Sequence, residues 1–246
     1  MNSKLFPNVL EYDELASTNA EAKKLLGNLK GTNFLVWAKR QTAGRGQRGN
    51  SWFCGDDKDL AMSFVYHPKH LKVEDQFVLN MLVCNAVAAY VASIVKGKKV
   101  EVKWPNDILI DGKKVCGILI ENSLRGAKVE NSVIGIGLNL NSSEMPSDLP
   151  QSTSILIENP NFSSTQKEEV YALKKFLEKE FEEEDSSAIK RRYLEHLFGF
   201  QKVRKFLKDG VVFEGVITGV SNTGLISILC AEGERQFDFK EIVFVY

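Results

Sequence analysis

Four short stretches of this 246-residue chain combine residue types suited to anionic ligands. The most pointed is Lys103-Trp104-Pro105-Asn106-Asp107. Pro105 lacks a backbone donor and disfavours helix at Trp104, so the segment reads as a rigid turn. A lysine held at a strand end by such a turn directs its ammonium at a fixed point. Fixed positive charge that meets charge developing in a transition state is usually the largest catalytic contribution. A reaction between a carboxylate and a phosphate needs such a cation, because both reactants are anions. The same five residues also suit a solvated lysine beside a structural turn.

The second stretch runs from Gln41 to Trp52 and interleaves Gly44, Gly46 and Gly49 with Arg45 and Arg48. Glycines let a backbone fold around a ligand and present its N–H groups. Arginines supply planar donors that suit phosphate. The spacing is not G-x-G-x-x-G before a helix and does not end in G-K-[ST]. Both the dinucleotide fingerprint and the Walker loop are excluded. A flexible basic loop that touches RNA has the same composition. In the third stretch, Ser17-Thr18-Asn19 stands at a helix N-terminus, where free N–H groups bind an anion or a carbonyl oxygen. Thr18 is equally explained as the N-cap of a Thr18-x-x-Glu21 capping box. In the fourth, Gly135-Ile136-Gly137-Leu138-Asn139, strand glycines mark close approach of a ligand or of another strand. A flat ligand could lie on them, with Asn139 reaching a phosphate or ribose.

The elements around these stretches can be read from periodicity and turn residues. The helix opened at Thr18 runs through Leu26 and stops at Gly27-Asn28, a left-handed stop signal. Phe34 to Ala38 and Leu60 to Tyr66 read as strands, with Lys39 to Asn50 a loop between them. A long apolar helix covers about Glu74 to Val95 and ends at Gly97. Its uncharged run, Phe77 to Val95, approaches the length of a membrane span, but Asn80, Asn85 and Ser93 within it favour a buried core helix. Val100 to Val102 leads into the Lys103 turn. Ile108 to Ile110 and Val115 to Glu121 form a hairpin about Asp111-Gly112. Val133 to Leu140 is a further strand, and 142–154 a Ser- and Pro-rich loop. A second capping box, Thr165-x-x-Glu168, opens a helix through Phe176 and Phe181, and another helix covers Ala188 to Phe198. From Lys202 short alternating runs separated by Asp-Gly, Asn-Thr-Gly and Glu-Gly suggest a small β-barrel. The domain boundary falls near Gly199, giving a main domain over 1–199 and a small one over 200–246.

Composition limits the function classes. The chain has 32 Lys and Arg against 32 Asp and Glu, so its formal net charge is zero. No net positive field steers it to phosphates, which disfavours a globally basic nucleic-acid binder. With 43% hydrophobic and 26% charged residues it has the balance of an ordinary globular protein rather than a disordered one. Charge is nonetheless patchy. Lys39 to Asn50 carries four cations and no acid, and Glu178 to Asp185 carries six acids against Lys179. The four cysteines, Cys54, Cys84, Cys116 and Cys230, form no C-x-x-C pair, and His67, His70 and His196 do not cluster with them. Structural zinc is therefore not expected, and inert thiols in a reducing cytosol are. Met1 to Leu10 lacks the apolar core of a signal peptide.

Taken in this order, the four stretches resemble biotin protein ligases over nearly the whole chain. Ser17-Thr18-Asn19 is similar to that family's S-T-N segment, and Gly44 to Trp52 to its glycine–arginine loop. Lys103 to Asp107 matches K-W-P-N-D, Gly117-Ile118-Leu119-Ile120-Glu121 matches G-I-L-[IV]-E, and Gly135 to Asn139 matches G-x-G-x-N. The resemblance implies an α+β fold: a mixed β-sheet catalytic domain with helices on one side, class II synthetase-like, plus a small C-terminal SH3-like β-barrel. It implies two steps, in which ATP activates biotin as biotinyl-5′-AMP and a carrier lysine then takes the biotin. Magnesium is expected to neutralise the phosphates.

The resemblance also implies roles. Ser17, Thr18 and Gln41 would hydrogen-bond the biotin ureido head, with Asn19, Gly44 and Gln47 also at the biotin. Arg45 and Gly46 would lie against the biotin carboxylate and the adenylate phosphate. Lys103 would bridge carboxylate and α-phosphate, making Lys103 and Arg45 the catalytic pair. Gly117 and Gly135 would line the biotin slot. Gln47, Arg48, Trp52, Asn106 and Asn139 would contact ATP or the adenylate. Asp107 would bind magnesium or orient Lys103. The expected partner is the biotin carboxyl carrier domain of a carboxylase or decarboxylase, met in the cytoplasm. The chain would be a monomer or homodimer, with no DNA and no membrane partner. The S-T-N segment begins at residue 17, which leaves no room for the N-terminal DNA-binding domain of some members. Gln47 and Asn50 stand where arginines are frequent in the family loop, so adenylate retention should be weaker, and Gln47→Arg should slow its release. The competing readings are a lipoate–protein ligase-like acyl-adenylating enzyme and a single-stranded nucleic-acid binder that uses the basic loop and the barrel. Phe213, Phe237 and Phe239 fall at alternating, core-like positions, which counts against the latter.

Overall fold

A computed structural model describes residues 5–49, 51–52 and 57–245. Asn50, Cys54 and the side chain of Arg48 lie outside the described residues. The sequence alternates strand and helix at its start. Strand β1 (Asn8–Leu15), helix α1 (Thr18–Leu26) and strand β2 (Phe34–Gln41) form one unit, with β1 and β2 parallel. Strand β1 escapes the sequence reading because acids occupy most of its exposed positions. Strand β2 runs to Gln41, past the expected end at Ala38. Strand β3 (Leu60–Tyr66) follows, then helix α2 (Gln76–Ile94), entered through a short 3-10 turn.

Strands β4 (Val100–Lys103), β5 (Asp107–Ile110), β6 (Lys113–Arg125) and β7 (Lys128–Leu138) come next. Together with the first three they make a seven-stranded mixed sheet in the order β1-β2-β3-β7-β6-β5-β4. Asp111 and Gly112 turn β5 into β6 with φ of +47° and +83°, the two positive values that an Asp-Gly hairpin turn requires. Helices α3 (Ile155–Glu158), α4 (Gln166–Glu180) and α5 (Ser186–Glu195) complete the larger part. The α4 capping box forms as its sequence predicts, Thr165 and Glu168 satisfying each other's backbone N–H.

The helices are not all on one side. Leu35 and Trp37 of β2 join the main core under α2, α4 and α5, whereas Phe34 and Val36 pack with Ala22 of α1 in a second, smaller core. Strand β2 is buried on both faces, which explains its continuous apolar run. The uncharged helix α2 lies in the main core. The span Val73–Ile94 is long and apolar enough to cross a membrane, but it is mostly buried against the protein itself. Its Asn80 donates to the Pro105 carbonyl at 2.7 Å, and Asn85 donates to the Ile189 carbonyl at 3.0 Å.

At its N-terminus α1 departs from expectation. Ser17, in extended backbone, is the N-cap, and its hydroxyl accepts from the Ala20 N–H. Thr18 is the first helical residue, so the Thr18–Glu21 capping box does not form. The helix ends with Gly27 at φ −64°, and the left-handed glycine comes later, at Gly31.

The chain then builds a five-stranded antiparallel sheet, SH3-like, from β8 (Val203–Lys208), β9 (Val211–Val220), β10 (Ile226–Cys230), β11 (Gly233–Phe237) and β12 (Val243–Val245). The runs expected at Val211 to Val220, Leu225 to Leu229, Arg235 to Phe239 and Ile242 to Val245 correspond to β9 to β12, and β8 precedes them. Phe206, Ile217, Ile228 and Phe237 fill its interior. The two sheets share one continuous core. The Trp104 indole N–H donates to the Gly224 carbonyl at 2.9 Å, and the Phe77 N–H donates to the Asn222 carbonyl at 3.0 Å.

Candidate active site

A cleft of about 520 Å³ opens on the α1 face of the larger sheet. Its floor is made by residues too small to fill it. Gly137 pairs with Gly117 on one side and Ala61 on the other, and Gly135 pairs with Ser63 and Leu119. The indole of Trp52 lies across this floor. A Cβ on Gly137 would come within 2.3 Å of that ring, and one on Gly117 within 2.8 Å. The Trp52 indole N–H is buried with no hydrogen-bond partner among the described residues, which leaves a donor for a bound acceptor.

One end of the cleft is lined by the uncharged polar side chains of Ser17, Thr18, Asn19 and Gln41. The Gln41 side-chain oxygen accepts from the Thr18 backbone N–H at 2.9 Å and from its hydroxyl at 3.2 Å. The buried Ser63 hydroxyl serves either the Thr18 oxygen, at 2.7 Å, or Asn19 Oδ1, at 2.6 Å. Asn19 also donates to Glu121 at 2.9 Å, and Lys23 meets the same carboxylate at 2.6 Å. Burial opposes ionisation of Glu121. The bonds from Lys23 and Asn19, with the charges of Lys23 and Arg45, outweigh it and hold the carboxyl below the usual range. A Cβ on Gly135 would stand 2.2 Å from Asn19 Oδ1, so that glycine admits Asn19 rather than empty space.

The other end is cationic. Contacts lead step by step from Trp52 to the C-terminal sheet. The Lys114 ammonium sits 5.3 Å above the Trp52 ring and pairs with Asp107 at 2.6 Å. Asp107 pairs in register with Lys103, whose ammonium lies 5.5 Å over Phe244. The Lys103 turn is pinned from several sides. Asn80 and the Tyr193 hydroxyl both donate to the Pro105 carbonyl, at 2.7 and 3.3 Å. Asn106 lines the cleft, donates its side chain to the Ile118 carbonyl and accepts from the Ile118 N–H at 3.0 Å. Arg45, Gly46 and Gln47 of the glycine loop line the same cleft. The loop closes where the Trp52 backbone N–H donates to the Gly44 carbonyl at 2.9 Å. Gly44 shapes that closure, since a Cβ there would meet the Trp52 carbonyl at 2.5 Å.

Most residues singled out in the sequence therefore converge. Ser17, Thr18, Asn19, Gln41, Arg45, Gly46, Gln47, Trp52, Lys103, Asn106, Asp107, Gly117 and Gly135 line one cavity. Asn139 does not join them. It is buried, is absent from the lining of the cleft and donates to the Thr153 carbonyl at 2.9 Å, tying the end of β7 to the segment before α3. Sequence reasoning missed Ser63, Lys114 and Glu121. Ser63 was a polar residue on an apolar strand, Lys114 a residue of the hairpin turn, and Glu121 only the end of the G-I-L-[IV]-E match, with no role given to it. It also missed the C-terminal wall, where Phe239, Ile242 and Phe244 line the cleft from beyond the boundary at Gly199.

Comparison with known proteins decides the family. The profile of the Biotin/lipoate A/B protein ligase family matches residues 13–139. The chain belongs to this family. Its similarity to a Bacillus subtilis bifunctional ligase/repressor BirA is 35% identity over 143 residues, covering 58% of this chain and 43% of that protein. The biotin--[acetyl-CoA-carboxylase] ligase of Paracoccus denitrificans is 36% identical over 127 residues, covering 50% of this chain and 51% of the relative. The chain thus matches about half the length of these curated relatives. In three dimensions it is similar to a biotin protein ligase from Aquifex aeolicus solved with biotin and ATP. That match has a TM-score of 0.77 and 26% identity, and covers 98% of this chain and 99% of that one.

Proposed function

We propose that this chain activates biotin with ATP to biotinyl-5′-adenylate and transfers the biotin to a lysine of a biotin carboxyl carrier domain in the cytoplasm. The observation that carries the proposal is one cleft with a neutral polar end and a cationic end. Such a cleft suits a ligand with an uncharged hydrogen-bonding head and a carboxylate that must approach a phosphate. Thr18, Asn19, Gln41 and Ser63 supply fixed donors and acceptors for the head. A site built to pair such groups rejects ligands that lack them.

In the first step a biotin carboxylate oxygen attacks the α-phosphorus, and pyrophosphate leaves with the bonding pair. Arg45, Lys103 and Lys114 stabilise the charge that develops there. Lys114 is nearer the Trp52 end and Lys103 nearer the C-terminal wall, so the two lysines divide the anions between them. In the second step the carrier amine nitrogen attacks the acyl carbon, AMP departs and the amine loses a proton. No protein nucleophile is required.

The expected magnesium fits the donors in a limited way. Asp107 is the one carboxylate lining the cleft among the described residues, and Lys114 already neutralises it. No group of three or more potential ligands assembles among the described residues. Magnesium commonly binds through one or two carboxylates, several waters and substrate phosphates. Asp107 would hold an ion that arrives with the nucleotide, where it neutralises phosphate charge. A nucleic-acid platform is not offered by the small sheet. Phe213, Phe237 and Phe239 pack into the core, and Tyr171 of α4 is the one exposed aromatic among the described residues.

The test is ATP–pyrophosphate exchange with biotin and, separately, with lipoate, followed by labelling of a carrier lysine. Exchange should depend on biotin. Lys103→Ala and Lys114→Ala should each slow it by roughly 10²- to 10³-fold, the loss typical of removing one transition-state donor. Exchange with lipoate alone, or full activity in both variants, would overturn the proposal.

A further inference from the structure

Glu121 does not line the cleft, yet a hydrogen-bonded path leads from it to residues that do. Its carboxylate takes the Lys23 ammonium on Oε1 at 2.6 Å and the Asn19 amide on Oε2 at 2.9 Å. Burial opposes its ionisation, but those two bonds hold the carboxyl below the usual range, so it is charged at neutral pH. An ionised carboxylate accepts hydrogen bonds and has none to donate. Asn19 must therefore turn its Nδ2 to Glu121, which turns its Oδ1 to the Ser63 hydroxyl at 2.6 Å. An amide oxygen also accepts only, so the single Ser63 proton is drawn to Asn19.

The other end of the path is fixed by backbone. The Thr18 N–H can only donate, so it sets the Gln41 oxygen against it at 2.9 Å. The Thr18 hydroxyl gives its proton to the same oxygen at 3.2 Å. With that proton spent and the Ser63 proton held by Asn19, the Thr18 oxygen keeps its lone pairs for a ligand. Thr18 lines the cleft and Ser63 lies behind it, 2.7 Å from the Thr18 oxygen. Ser63, Thr18 and Asn19 are 0%, 3% and 5% exposed, so water is poorly placed to repair a mismatched pair. We infer that Glu121 is a positioning residue for the biotin head. Its charge orders the Asn19 amide and the Ser63 proton so that Thr18 offers an acceptor to a ureido N–H. This inference rests on the function proposed above and names what sets the donor and acceptor pattern of its polar end.

Glutamine has nearly the shape of glutamate but one acceptor atom and an NH2 group. In Glu121→Gln the Lys23 ammonium, which can only donate, claims that one oxygen. The introduced NH2 group is then left against the Asn19 NH2 group. Asn19 turns over to meet it with oxygen, so its Nδ2 donates to Ser63. The Ser63 proton swings to the Thr18 oxygen and competes with the ligand for it. Removing Lys23 as well frees the introduced oxygen to accept from Asn19, and the original order returns. In the wild type Lys23 is not needed for this order, because both carboxylate oxygens accept.

The test titrates biotin into the full-length wild type, Glu121→Gln, Lys23→Met and the double variant. Glu121→Gln should raise the Kd for biotin about tenfold, the order of one mismatched hydrogen bond, while the KM for ATP in exchange holds. Lys23→Met should leave the Kd within about twofold of wild type. The double variant should recover biotin affinity to within about threefold of wild type, even if its Tm stays low. A structural role alone predicts the reverse, since losing both partners of an ion pair cannot tighten a ligand. An unchanged Kd in Glu121→Gln would overturn the inference. So would a double variant no tighter than Glu121→Gln, or Lys23→Met as weak as Glu121→Gln. A wild type that binds biotin without biotin-dependent exchange would sink the proposed reaction and leave the titrations to decide the role of Glu121. A wild type that binds no biotin would overturn both.

Discussion

Gly135→Ala tests the polar end of the cleft directly. The added Cβ would stand 2.2 Å from Asn19 Oδ1 and 3.2 Å from its Nδ2. Asn19 cannot yield easily, because Ser63 holds Oδ1 at 2.6 Å and Glu121 holds Nδ2 at 2.9 Å. Restoring an ordinary contact needs a shift of roughly an ångström, which breaks both bonds. The neutral bond is worth about 1 kcal/mol and the bond to the carboxylate about 2 kcal/mol. The variant should therefore lose about 3 kcal/mol, a fall in Tm of roughly 6–12 °C for a chain of this size. Biotin affinity should fall at least tenfold while the KM for ATP holds, because Thr18, Ser63 and Asn19 form one hydrogen-bonded group. A double-mutant cycle isolates the cause. In an Asn19→Ala background the methyl group has room, so Gly135→Ala should cost under about 1 kcal/mol there, a coupling of about 2 kcal/mol. Equal costs in both backgrounds, read from thermal or urea unfolding, would refute the claim that Asn19 is the reason for this glycine.

Glu121→Gln should destabilise the chain at neutral pH, where wild-type Glu121 is ionised and bonded to Lys23 and Asn19. Because folding lowers this carboxyl's pKa, its contribution is complete above the ordinary glutamate range near pH 4.3 and is lost as pH falls through the folded value. The Tm difference between wild type and variant should hold from about pH 6 to 5 and shrink in stronger acid. A difference that grows in acid would contradict the sign. Thr165→Ala removes the α4 cap and should cost about 1 kcal/mol in urea unfolding, with exchange activity unchanged. The comparison of Ser17→Ala with Thr18→Ala checks the α1 cap by biotin affinity. Both should weaken binding, but Thr18→Ala more, since its hydroxyl bonds Gln41 and Ser63 while Ser17 caps the helix.

Local rules were legible where a residue's neighbours in sequence decide its conformation. The Thr165 box, the Asp111-Gly112 turn and the bounds of β3 follow from adjacent residues. Strand β1 was not legible, because it pairs on one side only, with β2, and its acids face water. The α1 cap was misread by one residue, since Ser17 and Thr18 are both good caps and only the approach of Gln41 and Ser63 assigns Thr18 to the site. The same limit applies to Asn139. Its place after two strand glycines suggests a ligand contact, and the bond from its amide to the Thr153 carbonyl, 14 residues on, was not legible beside it. Lys114 was legible only as a hairpin residue, because its value depends on Trp52 and Asp107 meeting it in space.

The position of the cleft follows from how the larger sheet is covered. Seven strands spaced by about 4.8 Å make a sheet roughly 29 Å wide. Helix α1, with a diameter of about 10 Å, can shield only two or three strands. It packs on β2, β3 and β7. The same face of β6 and β5 is left without a helix, and there the sequence places Lys114 and Gly117, the latter paired with Gly137 of β7. A bare apolar floor would be costly to expose, so it must be covered by something that can open. Trp52 on its glycine-rich loop covers it from one side, and the β11–β12 turn with Phe239 and Phe244 from the other. Both covers carry charge, Arg45 on the loop and Lys240 on the turn. On the proposed function, that is how a chain with zero net charge concentrates cations where two anions must meet. Asp107 offsets Lys114 within the cleft, and other acids sit elsewhere, as with Glu180 and Glu183, which pair with Arg192.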